Sequence, residues 1–129
     1  MDKALGYIGL ARRGGNIEIG EQRAKALVKA GKARLMIVAS DTSPGAKRRA
    51  EGYVYGYDTP LITVPYTKEM ISQTVGIPGC SMAAFGDAGL ALSFVKALAA
   101  EDGAYDDAVS ALTQRMERSR KSGNRRKSE

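Results

Sequence analysis

The stretch that decides the fold class is residues 31–44, GKARLMIVASDTSP. Its middle part, residues 34–39, is a nearly unbroken apolar run that is typical of a buried central strand. Ser43 then stands where a helix N-cap is expected, and Pro44 suits the first helical position. A buried strand that leads directly into a capped helix indicates a domain in which strands and helices alternate.

The same alternation extends outward in both directions. Before this stretch we predict a helix over residues 2–12 stopped by Gly14-Gly15, a strand over 16–19 and a helix over 20–31. After it we predict a helix whose apolar side carries Ala46, Ala50, Tyr53, Val54 and Tyr57, a strand over 60–64, a helix from Thr67 to Gly76, a strand over 81–85 and a helix that starts at Asp87. The sequence therefore predicts an α/β fold.

The chain of 129 residues suits one compact domain. We assign residues 1–100 to this domain, and residues 101–114 to an additional helix through Ala108 and Leu112. Residues 115–129 are so polar and basic that we predict a disordered tail. Such a tail is either a nonspecific RNA contact or inert.

The net charge of +6 is unevenly distributed. Residues 1–50 hold eleven Lys and Arg against four Asp and Glu, residues 51–114 hold two against eight, and residues 115–129 hold seven against two. We therefore expect one basic face, one acidic face and a basic tail. A basic face attracts phosphate backbones, although a merely solubilising surface is the alternative.

Several function classes lack the residues that they need. The chain has no histidine and one cysteine, Cys80, so a Cys–His nucleophile is excluded and a zinc site would have to be built from carboxylates. Cys80 is expected to be buried. No apolar run approaches the ~18 residues of a membrane span, and the first residues lack the pattern of a signal peptide. We expect a non-catalytic cytoplasmic protein without a cofactor, a metal or a membrane partner.

The helix that follows Gly20 is the first candidate site. Gln22, Lys25 and Lys29 share one helical face, with Lys32 nearby and Arg23 on its flank. A helix start offers free N–H groups and a positive dipole to phosphate. The alternative is an ordinary amphipathic helix whose lysines are solvated.

Two further segments are weaker candidates. The loop over residues 76–80 is expected to expose Ile77 and Pro78, and an apolar loop tip can pack against an unstacked base. The cluster Lys47-Arg48-Arg49 lies near a helix start, where the dipole disfavours cations, which weakly suggests a partner. A plain connection and a solvated face are the alternatives.

With these segments in place, the chain resembles the kink-turn-binding ribosomal-protein family (the L-seven-Ae group), most of all its small bacterial YlxQ-type members. The resemblance covers about residues 3–99, and it rests on residues 10–14, on Gly20-Glu21 and on residues 31–41 with Ser43-Pro44 and Lys47 behind them. It implies a three-layer α/β/α sandwich with a four-stranded mixed sheet, and a monomeric binder of structured RNA such as a kink-turn or ribosomal RNA, with the ribosome as a candidate partner. It implies no cofactor and no catalysis.

The resemblance also implies the contact residues. Gly20 matches the glycine of the family's contact motif, and Gln22 stands where the family has Asn or Lys. Arg23 replaces Glu or Gln, and Ala26 replaces Lys, for which Lys25 and Lys29 could compensate. The second family contact, an apolar loop before the last strand, falls on residues 77–80. The alternative to RNA binding is a protein-interaction module that has kept the fold.

Overall fold

The computed structural model describes residues 2–128 and places the predicted central strand in the middle of a sheet. The strands are β1 (Ile17–Ile19), β2 (Leu35–Val38), β3 (Leu61–Thr63) and β4 (Met82–Phe85). The helices are α1 (Lys3–Arg13), α2 (Glu21–Lys29), α3 (Pro44–Val54), α4 (Lys68–Val75), α5 (Ala88–Ala99) and α6 (Asp106–Ser128), with a short 3-10 helix at Gly103–Tyr105. All four residues of β2 are buried, as the apolar run predicts.

The four strands form one mixed sheet in the order β1-β4-β2-β3. Strand β4 pairs antiparallel with β1 and with β2, so that Ala84 lies opposite both Glu18 and Met36. Strand β2 pairs in parallel with β3, with Ile37 opposite Ile62. The mixed four-stranded sheet implied by the family resemblance is confirmed.

Helices cover both faces of this sheet. On one face, α1, α4, α5 and α6 pack around a core that includes Ile8, Phe85 and Phe94, and the two phenylalanine rings lie 5.2 Å apart. On the other face, α2 and α3 bury small residues such as Ala24 and Ala50 against the sheet. This arrangement is a three-layer α/β/α sandwich.

The helix starts follow local capping chemistry. The side chains of Ser43, Thr67 and Asp87 accept hydrogen bonds from the amides of Ala46, Met70 and Leu90, which confirms the three predicted N-caps. Within the described residues, no helix has the length and apolar character needed to cross a membrane.

Two elements differ from their prediction. Helix α3 ends at Val54, and Tyr57 lies beyond it and is 39% exposed, so the assignment of Tyr57 to the buried side of the helix is wrong. The chain leaves the helix because Tyr55 is extended and Gly56 has a φ of 81°.

Helix α6 continues to Ser128, where we predicted a disordered tail from residue 115. Residues 106–128 contain no proline, and Arg, Lys, Gln and Glu favour helix. The division into domains stays a prediction.

The strand directions give the sheet two distinct edges. Helices α2, α3 and α4 begin beyond the C-terminal ends of β1, β2 and β3, next to the loop that precedes β4, and we call this the helix-start edge. At the opposite edge, α2 and α3 end and the loops over residues 30–34 and 55–60 lead back into the sheet. We call it the helix-end edge.

Candidate nucleic-acid interface

Gly20 fixes where α2 starts relative to the sheet. Its φ of 105° and ψ of 156° lie in a region that is essentially restricted to glycine. Its amide donates a hydrogen bond of 2.9 Å to the carbonyl oxygen of Met82. The first turn of α2 is therefore anchored beside the start of β4, at the helix-start edge.

The first turn of α2 presents two exposed polar side chains at this edge. Gln22 is exposed, and the side chain of Arg23 is 76% exposed and lies 3.6 Å from Glu18 of β1. Ala26, which stands where the family resemblance expects lysine, is also exposed. The amide of Gln22 is thus free to donate and to accept hydrogen bonds.

A three-residue clamp joins α2 to α3 behind this turn. The Nε and Nη2 atoms of Arg49 donate hydrogen bonds of 2.7 and 3.0 Å to the two carboxylate oxygens of Glu21. The hydroxyl of Tyr53 donates a further hydrogen bond to the same carboxylate. These contacts lower the pKa of Glu21 from its ordinary value of 4.5 to about 2, and the hydrogen bond to Glu21 raises the pKa of Tyr53.

Sequence reasoning missed this clamp, because its members lie 28 and 32 residues apart along the chain. It explains why Arg49 is tolerated in the basic cluster near the start of α3. The sequence suggested that this cluster has a partner, and for Arg49 the partner is an acidic residue of the same chain. Arg49 therefore indicates no external ligand by itself.

A groove of about 610 Å³ runs along the helix-start edge between α3 and α4. Polar side chains line most of it, and Pro78 and Gly79 of the loop before β4 form one side. The starts of α3 and α4 open into it through Ser43 and Lys68. The groove combines helix N-termini, hydroxyl groups and an apolar loop, which suits a base edge. Two carboxylates, Asp41 and Glu69, also line it and disfavour a phosphate beside them.

The loop before β4 differs in part from its prediction. Pro78 is exposed as predicted, but Ile77 is only partly exposed and packs against the core, so Ile77 does not form a free loop tip. Cys80 is buried, as predicted, and its thiol donates to the carbonyl oxygen of Ile77 over 2.8 Å. Ile77 and Cys80 therefore anchor the loop to the core, and Pro78 is its exposed apolar group.

The predicted lysines of α2 fall into two locations. Lys25 and Lys29 do share a face, which is turned toward α3: their ammonium groups lie 5.3 Å from the ring centre of Tyr53 and 5.0 Å from that of Tyr57. However, Lys29 ends α2 and Lys32 follows it, about 13 Å along the helix from Gly20. Cations of this face therefore lie at both edges of the sheet, and the expected single basic face stays a prediction.

The chain is similar to known proteins in sequence and in fold. No protein-family model matches the chain. The chain is 32% identical over 76 residues to the RNA-binding protein YlxQ of Enterococcus faecium, an alignment that covers 59% of this chain and 73% of that protein.

Two solved structures share the fold. A protein of unknown function from Bacillus halodurans superposes with a TM-score of 0.69 at 24% identity, over 75% of this chain and 97% of that chain. The 15.5-kD RNA-binding protein of Giardia lamblia superposes with a TM-score of 0.62 at 19% identity, over 84% of this chain and 85% of that chain.

Proposed function

We propose that this chain, which belongs to the family of YlxQ-type RNA-binding proteins, binds structured RNA at the helix-start edge of its sheet. The preferred target is a sharply bent internal loop of the kink-turn type, in ribosomal RNA or another noncoding RNA. The protein acts as a cytoplasmic monomer, and RNA binding requires neither a cofactor nor a catalytic step.

The observation that carries this proposal is the convergence of three helix starts at one edge. The starts of α2, α3 and α4 lie around the exposed Gln22 and the polar groove. Each helix start directs the positive end of a helix dipole toward an anion, and α2, which has no side-chain cap, also presents its first amide groups. A bent RNA backbone brings several phosphates close together, and so it matches this arrangement better than a straight duplex does.

Six of the eight predicted contact residues have a defined role in this proposal. Gly20 lets the RNA approach the start of α2 closely, and Gln22 hydrogen-bonds a base edge. Arg23 and Lys25 neutralise neighbouring phosphates. Pro78 covers an unstacked base at the groove, supported from below by Ile77.

The test compares the full chain on a kink-turn RNA and on a straight duplex of equal length, at ~150 mM salt, where unspecific phosphate contacts are weakened. We expect a clear preference for the kink-turn. The Gln22→Ala variant should bind the kink-turn about 5- to 150-fold more weakly, because it loses a base contact of ~1–3 kcal/mol, and its affinity for the duplex should stay almost unchanged.

Gln73→Ala is the matched control, because Gln73 is exposed on α4 in the other helical layer. It should leave both affinities unchanged. Equal losses of the Gln22→Ala variant on the bent and the straight RNA would remove the base-reading role of Gln22. If the unmodified chain shows no preference for the kink-turn, the second candidate function, a protein-interaction module, is favoured. The exposed Ala26, which stands where the family has lysine, supports this second candidate.

A further inference from the structure

Three segments from distant parts of the chain meet at the helix-end edge. The hydroxyl of Thr59 donates a hydrogen bond of 3.3 Å to the carbonyl oxygen of Ala33, which joins the loop after α3 to the loop after α2. Arg115 and Arg118 of α6 lie 3.0 and 3.1 Å from the carboxylate of Asp58 in the first of these loops. Helix α6 is thereby held against both loops.

This convergence makes the helix-end edge strongly basic. Its cations are Lys29, Lys32, Arg34, Arg115 and Arg118. The carboxylates beside them are Asp58, which both α6 arginines engage, Glu51, which lies one turn before the end of α3, and Glu117, which is exposed on α6 between the two arginines. Cations therefore outnumber carboxylates at this edge, although it carries none of the helix starts used in the proposed function.

Two exposed tyrosines follow α3 at this edge, and one of them contacts a lysine. Tyr55 is 85% exposed and Tyr57 is 39% exposed, so neither contributes a full ring to the core. The ammonium group of Lys29 lies 5.0 Å from the ring centre of Tyr57. An open aromatic ring beside lysines is the arrangement on which single-stranded RNA stacks its bases while its phosphates are neutralised.

We propose that the helix-end edge is a second RNA-binding surface, on which an unpaired base stacks on Tyr55 while Lys29 and Lys32 neutralise the adjacent phosphates. The inference rests on the proposed function, since it extends the same RNA beyond the first site. Lys25, which lies over the ring of Tyr53, stands between the two edges on the same face of α2. A single strand leaving the helix-start edge has to cover about 13 Å along that face to reach Tyr55.

The test uses the full chain with tryptophan in place of Tyr55, because the natural chain has no tryptophan and the emission then reports on this position alone. The probe is an oligouridylate of about 12 nucleotides at ~50 mM salt. We expect the Tyr55→Trp variant to bind the probe and its emission to be quenched by stacking. The control is Leu10→Trp, at a 46% exposed position on α1 in the other helical layer, whose emission should not change.

Two further variants measure the energetic contribution of the surface. Tyr55→Ala should weaken binding of the oligouridylate at least about fivefold, since stacking contributes ~1 kcal/mol or more per base. Lys32→Ala should weaken it and reduce its salt dependence, whereas Lys96→Ala, at an exposed lysine of α5, should not. Tyr55 is so exposed that its replacement is expected to leave the thermal unfolding temperature unchanged.

The outcomes separate this inference from the proposed function. Quenching at position 55 that persists when Gln22→Ala is added supports a second surface, even if the kink-turn preference fails. Equal quenching at positions 10 and 55, absence of quenching at position 55, or unchanged affinity of Tyr55→Ala each contradict it.

Discussion

Gly20 holds a backbone conformation that positions the whole first turn of α2. Its φ of 105° and ψ of 156° are essentially available to glycine alone, and a Cβ there would meet no atom within 4 Å. The constraint is therefore one of backbone conformation and not of space.

We expect Gly20→Ala to lower the free energy of unfolding by ~1–3 kcal/mol, because alanine is strained in this conformation. Gly6→Ala is the matched control: Gly6 lies inside α1, and its Cβ would also meet nothing within 4 Å. That variant should raise the free energy of unfolding by about 0.4–1 kcal/mol. Urea unfolding followed by circular dichroism measures both, and equal effects of the two variants would refute the backbone argument.

Glu21 makes the stability of the protein depend on pH in the acid range. Its pKa in the folded chain is about 2, below the ordinary 4.5, because Arg49 and Tyr53 hydrogen-bond its charged form. A lowered pKa stabilises the fold at a pH above about 4.5, and this contribution disappears as the pH falls from there toward 2.

We expect Glu21→Gln to reduce the loss of stability between about pH 6 and about pH 3, as measured by urea unfolding at both values. Part of the dependence of the free energy of unfolding on pH should remain in this variant, because a hydrogen bond from Tyr66 lowers the pKa of Asp2 as well. Glu51→Gln, at an exposed carboxylate of α3, is the control, and its free energy of unfolding should depend on pH as that of the unmodified chain does. Identical slopes for all three proteins would rule out the clamp as the source.

At the scale of elements, α6 is part of the folded core and not an appendage. Leu112 is 2% exposed and belongs to the core cluster, with Ala108 and Val109 packed beside it. The hydroxyl of Tyr105, just before α6, donates a hydrogen bond of 2.9 Å to the carbonyl oxygen of Thr63 in β3. The first half of α6 thus completes the apolar layer over α5.

We expect Leu112→Ala to lower the free energy of unfolding by about 2–5 kcal/mol, because it leaves a cavity at the contact between α5 and α6. Leu10→Ala, at a 46% exposed leucine, should change it by less than about 1 kcal/mol. Thermal and urea unfolding distinguish the two variants. A small effect of Leu112→Ala would show that α6 detaches from α5 at little cost.

At the scale of the whole molecule, the charge is divided between two edges of one sheet. The helix-start edge presents helix N-termini, and two of its arginines, Arg49 and Arg23, are paired with Glu21 and Glu18. The helix-end edge presents lysines, arginines and tyrosines at helix C-termini, where cations are favoured by the dipoles. The first edge suits specific contacts, and the second suits backbone neutralisation and stacking.

We expect the Gln22→Ala and Lys32→Ala variants to weaken binding of a kink-turn RNA with a single-stranded extension additively. The two sites are about 13 Å apart or more, and effects at such distances add to within ~0.5 kcal/mol. Titration of this RNA with the two single variants and the double variant gives the coupling free energy between the two sites. A large coupling energy would indicate one continuous site in place of two.

The sequence by itself determined most elements whose signal is local. Ser43 with Pro44, Thr67 with Gly76, and Asp87 mark helix ends correctly, because a cap bonds an amide only three residues away or depends on one residue's own backbone. The apolar run at residues 35–38 identified the central strand, since a strand buried on both faces needs no polar alternation.

The tertiary structure alone decided how these elements share a surface. The Glu21–Arg49–Tyr53 clamp, the separation of Lys29 and Lys32 from Gln22, the exposure of Tyr55 and the contact of α6 with Asp58 were not predicted. They join residues that lie 28 to 60 positions apart, or they depend on which face of the sheet a helix covers. Such contacts depend on the packing of whole elements, which the local pattern of side chains does not specify.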